Sequence, residues 1–282
     1  MTRPLPARVW IALSAPALCL VAFAFLTPLL NLGRLSFYEN LPGGVLRENF
    51  TLQNYIQFGS DPFYLELTGN SVLLAIEASL LALVIAYPIA LFLYRTTSRA
   101  RGLLVVLALS PLFVSGVVRV FGWMVVLGDT GVINTVLTGT GLIAQPLRLI
   151  FNWTGVVIGL TEGIVPYVVL SLMAGFGRLD RNVEDAAATL GANALQTFLR
   201  VTLPLSLPGV FLGVLLGFVL SMSAFISPRV LGGGRVFVLA TEIYGQTFEL
   251  NNWPLASVIA LYMLLLLVLA TIAYRRLSDR LA

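Results

Sequence analysis

Three ionisable residues stand inside long apolar stretches of this 282-residue chain: Glu77, Arg119 and Glu162. Placing a charge at the centre of a bilayer costs roughly 2.5–3.5 kcal/mol, so such groups face protein or water. The chemistry open to them is electrostatic: a carboxylate can hold a guanidinium or recruit an amine. Trp123 and Tyr167, four and five residues from Arg119 and Glu162, offer aromatic faces to a cation. Covalent catalysis has little to draw on. The chain has no His, and Cys19 is its only cysteine. That excludes a Ser–His–Asp triad, a Cys–His pair and a disulfide within the chain, and leaves a His/Cys zinc site without ligands. All 17 basic residues are Arg. A P-loop needs a Lys to reach the phosphates, so Gly232-Gly233-Gly234 reads as a flexible loop rather than a nucleotide cradle.

The elements that position these residues are dictated by hydropathy. The chain is 58% hydrophobic and 11% charged, with a mean hydropathy of +0.93. Soluble domains run near a quarter charged. A helix of about 20 apolar residues crosses a hydrocarbon core of roughly 30 Å. Six runs are that long: Trp10 to Leu32, Gly69 to Tyr94, Gly102 to Leu127, Gly155 to Phe176, Leu205 to Ile226 and Pro254 to Tyr274. Pro16, Pro28, Pro88, Pro111 and Pro166 fall inside them, as membrane helices tolerate. The first run is too long for a signal-peptide core and is followed by no clear cleavage site. Leu18 is too bulky for a lipoprotein cleavage site before Cys19, which reads as a packing residue.

Arginine placement predicts orientation. Arg3, Arg8, Arg95, Arg99, Arg101, Arg178, Arg181, Arg200, Arg275, Arg276 and Arg280 fall on one side. Arg34, Arg47, Arg148, Arg229 and Arg235 fall on the other, with Glu39, Glu48, Asp61, Glu66, Asp129, Glu242 and Glu249. Both termini are therefore expected in the cytoplasm. Trp10, Trp153 and Trp253 lie at run ends, as interfacial anchors do. At about 1.5 Å per residue, Glu77 and Glu162 fall roughly 12 and 10 Å below the outer ends of their spans, and Arg119 shares that outer half. Three readings are open: a salt-bridged cluster joining spans two, three and four, a polar path for a cationic solute, or snorkelling to the interface.

The stretch Arg178 to Pro208 is too polar to span. Val183, Ala186, Ala187 and Leu190 have helical spacing, as do Leu195, Phe198, Leu199 and Thr202. Gly191 is placed as a C-terminal cap, and Asn193 with Gln196 as a capping box. Pro204 and Pro208 mark the start of span five. The segment resembles the cytoplasmic signature of ABC importer permeases: Glu-Ala-Ala, three residues, Gly, nine residues, Ile-x-Leu-Pro. Asp185-Ala186-Ala187, Gly191 and Val201-x-Leu203-Pro204 match its spacing, with Asp for Glu and Val for Ile. The resemblance implies that this helix docks on a separate ATPase, with Glu184 and Asp185 pairing with donors on that partner.

Ser110-Pro111-Leu112, Val118-Arg119-Val120-Phe121-Gly122-Trp123, Gly131-Val132-Ile133-Asn134 and Asn49-Phe50-Thr51-Leu52-Gln53-Asn54-Tyr55 narrow the resemblance to the type I, spermidine/putrescine-type permeases. It implies an all-α polytopic protein of the bacterial inner membrane: a single transporter domain over 1–282, with a permease core near 69–274 and a first transmembrane helix at 10–32. Six transmembrane helices are expected, with a coupling helix between the fourth and fifth. The implied function is a path for a polyamine or related cation, without catalysis. This chain would bind no cofactor, with ATP and Mg on an ATPase dimer. Further expected partners are a second, homologous permease, a periplasmic binding protein and the lipid bilayer, but no nucleic acid. Alternatives are a permease of this family for an amino-acid-like, opine or phosphonate solute, an autonomous carrier, or a membrane enzyme. No internal repeat favours the carrier.

Overall fold

In the computed structural model, residues 7–177 and 181–278 are described, with side chains from Ser14 onward and excepting Arg181. The topological residues Arg3, Arg8, Trp10, Arg178, Arg181 and Arg280 lie outside the described side chains. The runs of Leu, Val, Ile and Ala fold almost wholly as helix, because a backbone in hydrocarbon must satisfy its own hydrogen bonds. In chain order these are α1 (Ala7–Leu35), a hairpin β1 (Glu39–Leu41) and β2 (Val45–Arg47), α2 (Gln53–Ser60), α3 (Pro62–Arg95), α4 (Arg101–Leu109), α5 (Gly116–Leu127), α6 (Val132–Gly139) and α7 (Trp153–Phe176). There follow α8 (Arg181–Thr189), α9 (Ala194–Thr197), α10 (Leu203–Met222), α11 (Ile226–Leu231), α12 (Leu239–Tyr244) and α13 (Trp253–Ser278). Among the described residues six helical segments are long and apolar enough to cross a membrane.

The chain divides into two compact units. The first is Met1–Tyr64 with Glu242–Tyr262. Here the Asn54 amide donates to the Ser36 and Tyr38 carbonyls, both at 2.9 Å, and so ties α2 to the end of α1. The Tyr55 hydroxyl meets Ser36 Oγ at 2.8 Å. Phe37 stacks on Phe50 at 4.8 Å. The hairpin turns through Gly43 and Gly44, both at positive φ.

The second unit, Leu65–Thr241 with Met263–Ala282, is built around α7. This helix is apolar all round, as a buried helix must be, and 67% of its span is covered, against a third or less for the other spans. Two small-residue seams make that burial possible. On α3, Ala75, Ala78, Ala82, Ala86 and Ala90 are fully buried at helical spacing. On α10, Gly209, Gly213 and Gly217 recur every fourth residue, putting them on one face. A Cβ on Gly175 would lie 2.6 Å from the Gly209 Cα, one on Gly213 3.0 Å from Val168, and one on Gly217 2.9 Å from Ser79. Lipid gives no hydrophobic incentive for helices to associate, so close backbone packing at such glycines supplies much of it.

Three expectations are corrected. The run Gly102 to Leu127 is not one helix. It breaks at Ser110–Phe113, a tight 3-10 turn, and at extended Val114 and Ser115. Pro111 supplies no N–H, and neighbouring groups re-satisfy the backbone. The spanning segment is α5 with α6, Gly116–Gly139. Its loop is held by Asn134, which bonds the Gly128 and Leu147 carbonyls and the Leu147 N–H. Gly131 sits where a Cβ would meet the Val125 and Val126 carbonyls. Second, span five begins before its prolines: Pro204 does lie in the first turn of α10, but helix is already running there. Helix runs from Ala194 to Met222 through a π turn at Phe198–Thr202. There the Leu203 N–H reaches back to the Phe198 carbonyl, and this wider turn precedes the proline. Third, Gly232-Gly233-Gly234 is a packed turn: Gly233, at φ +57°, lies against the Phe151 ring.

Gly209→Val should lower the thermal midpoint of the detergent-solubilised chain, with a loss of about 1–3 kcal/mol from overpacking. Gly69→Ala on α3, where a Cβ meets nothing within 4 Å, is the control and should melt like the wild type.

Candidate functional site

The broken third run places Arg119 on the first turn of α5, close to the 3-10 turn that holds Pro111. Its Nη1 donates to the Pro111 carbonyl at 3.2 Å. Its Nε lies 3.1 Å from Glu162 Oε2 on α7, an ion pair by distance but without the linear geometry of a hydrogen bond. The same carboxylate oxygen accepts the Trp123 indole N–H at 3.2 Å. Arg119 and Trp123 are four residues apart and so project from one face of α5, and both reach Glu162. Gly163 makes the approach possible, since a Cβ there would stand 2.7 Å from Arg119 Nη2. Arg119 and Glu162 are each about a quarter exposed, at 24% and 26%.

Arg119, Gly163 and Tyr167 line a cavity of about 400 Å³, together with Leu220, Phe225 and Ser227. Four of the five residues expected to share a path are thus in one neighbourhood: Arg119, Trp123, Glu162 and Tyr167. Glu77 is elsewhere. Its carboxylate accepts the indole N–H of Trp153 at 2.6 Å, clasping α3 to the start of α7. A single cluster of all three charges is therefore not what forms. Trp153, expected as an interfacial anchor, is also a hydrogen-bond donor to an intramembrane carboxylate.

The second group lies between α7 and α10. Helix α8 ends as the glycine signal requires. Gly191 has φ +84°, and the Ala192 N–H bonds back to the Ala187 carbonyl at 3.0 Å. The capping box forms, with Gln196 N–H on Asn193 Oδ1 at 2.9 Å and Asn193 N–H on Gln196 Oε1 at 3.0 Å. This sharp turn brings Ala187, Gly191 and Val201 to one shallow hollow of about 290 Å³, with Leu190 and Arg200 on its wall. Asp185 and Ala186 are exposed, Leu203 is half-buried and Pro204 exposed. Leu190 is 88% exposed, far more than an unpartnered leucine favours.

Glu184, expected to pair with donors on a partner ATPase, has partners within this chain. Its Oε1 accepts from Arg95 Nη2 at 2.7 Å and from Thr202 Oγ at 2.6 Å. Sequence reasoning missed Gly163, Arg95 and Thr202. The signals were slight: a glycine beside an intramembrane acid, and an Arg ending a span.

This architecture is that of an ABC importer permease. A chain of a bacterial ABC transporter involved in the import of the acidic polysaccharide alginate superposes with a TM-score of 0.77, over 97% of this chain and 96% of that one, at 15% identity. A chain of the MetNI methionine ABC transporter superposes with a TM-score of 0.59, over 77% and 95%, at 16% identity. The family is set by sequence. The model for the binding-protein-dependent transport system inner membrane component matches residues 78–282, and the chain belongs to that family. It is 32% identical over 259 residues to the spermidine/putrescine transport system permease protein PotB of Escherichia coli (strain K12), spanning 92% of this chain and 94% of that protein. The PotB of Haemophilus influenzae is 30% identical over 226 residues, spanning 80% and 79%. The protein is a multi-pass inner-membrane permease component of a binding-protein-dependent transport system, not an enzyme.

The Arg119–Glu162 pair should reveal itself in a double-mutant cycle. Arg119→Met and Glu162→Leu should each destabilise the purified chain by more than half as much again as the double variant. The expected coupling energy is about 1 kcal/mol, read from thermal melts in detergent.

Proposed function

We propose that the chain forms part of the translocation path for a polyamine such as spermidine or putrescine, received from a periplasmic binding protein. The observation that carries this reading is the 32% identity to a spermidine/putrescine permease across 92% of the chain. On this reading the cavity lined by Arg119 and Tyr167, with Trp123 and Glu162 beside it, lies on the path. Glu77 then serves a structural role, holding Trp153. The second permease is a similar but distinct chain, and the pair encloses the path. Both termini lie in the cytoplasm, and 1–282 acts as one transporter domain.

Force comes from the ATPase, which holds ATP and Mg, while this chain binds no cofactor. Asp185, Ala186, Ala187, Gly191, Val201, Leu203 and Pro204 carry the signature spacing. Small side chains around the hollow and the exposed Leu190 suit a partner surface that approaches closely. A second solute class is favoured by one observation: the cavity wall carries a guanidinium. An amino-acid-like or phosphonate solute would offer it an anionic group.

The test is uptake into proteoliposomes containing this chain with its ATPase, second permease and binding protein. Radiolabelled spermidine should enter only with ATP. Uptake of a phosphonate or amino acid in place of spermidine would select the second class. Uptake by the chain alone, without ATP, would overturn the permease mechanism. Gly191→Trp should abolish uptake while leaving membrane insertion intact. Gly191→Asn, which tolerates the left-handed conformation, should retain most of it.

A further inference from the structure

We infer that Glu184 is an internal strut rather than a contact for the ATPase: it locks α8 to the end of α3 and to the π turn that leads into α10. The inference rests on the reading of α8 as the force-receiving helix. Glu184 immediately precedes the Asp185-Ala186-Ala187 signature, and its side chain is only 18% exposed. One oxygen, Oε1, takes both the Arg95 guanidinium at 2.7 Å and the Thr202 hydroxyl at 2.6 Å. These are charge-assisted lengths, among the stronger hydrogen bonds available to side chains.

Each partner is placed by its own element. Arg95 is the last residue of α3, where a cation also complements the helix dipole. Thr202 is fully buried at the end of the π turn Phe198–Thr202. A hydroxyl in a regular helix commonly bonds its own backbone one turn back; this one turns to Glu184. A second tie lies on the same two elements: the Tyr87 hydroxyl on α3 meets Ser206 Oγ on α10 at 2.9 Å. Around it Tyr87 packs edge-on to Phe176 and Phe198, at 5.6 and 5.7 Å. Displacing α8 therefore pulls on α3 and the base of α10 together.

The experiment uses the assembled transporter. Cys19 is the only cysteine, so a Cys19→Ser background accepts spin labels at exposed Ser98 and Thr189, which report the separation of the α3 end from α8. With the strut intact the distance distribution should stay narrow and keep its centre between the nucleotide-free and ATP-trapped states. In Glu184→Ala it should broaden, and transport per ATP hydrolysed should fall at least about tenfold, the scale of one of the two charge-assisted hydrogen bonds lost. The exchanged pair Arg95→Glu with Glu184→Arg should recover part of the coupling. An unchanged distribution in Glu184→Ala would overturn the strut. So would loss of ATPase co-purification in that variant alone, since Glu184 would then be a partner contact. If Gly191→Trp also couples normally, the reading of α8 fails instead, and the spin-label result still judges the link between α8 and α3.

Discussion

The close approach of α7 and α10 at Gly175 and Gly209 governs the rest of the molecule. A Cβ on either glycine would come within 3 Å of the other backbone. In hydrocarbon there is no water to expel, so helices hold together through van der Waals contact and a few polar bonds. The seam continues through Gly213 on Val168 and Gly217 on Ser79, which brings α3 to the same centre. α7 is thereby buried among its neighbours, and the charged carboxylate on it finds its partners there. Glu162, Gly163 and the Glu77–Trp153 clasp are consequences of that burial.

The break at Pro111 is the complementary device. A continuous helix from Gly102 would bury its carbonyls in its own ladder. In the interrupted one the Pro111 carbonyl accepts from Arg119 as well as from the Val114 N–H, and Arg119 turns its charge toward Glu162. A cation is thus held beside a cavity without standing alone in a low-dielectric setting. Discontinuous helices near a solute site are a recurring answer in transport proteins, because irregular backbone is tolerated only where protein or water satisfies it.

Between α7 and α10 the logic is mechanical. A glycine-capped turn and a capping box fix α8 at a set angle to the helix that follows. The turn leaves Leu190 exposed and turns Glu184 inward, so adjacent residues of one short helix face different tasks. The π turn lets α9 pass directly into α10, so only the capped turn at Leu190–Asn193 stands between α8 and the spanning helix.

Much was legible in the residues themselves. Hydropathy alone marked six spans, since a bilayer demands about 20 apolar residues for each. Gly191, Asn193 and Gln196 announced a turn whose bonds are local in sequence, and local bonds can be read from spacing. The residues that share a site also stood out, because a charge in an apolar run is rare. What hydropathy could not decide was which of those charges meet. Glu77 and Glu162 look alike in sequence, but only Glu162 faces Arg119, because helix rotation about α7 is set by the glycine seam. The break at Pro111 was hidden, since proline is tolerated in membrane helices and only the packed neighbours determine whether one bends or breaks. Likewise Glu184 read as a carboxylate for donors on a partner, whereas Arg95, 89 residues away in this chain, closes on it. Long-range partners are chosen by three-dimensional packing, and no spacing along a single chain encodes them.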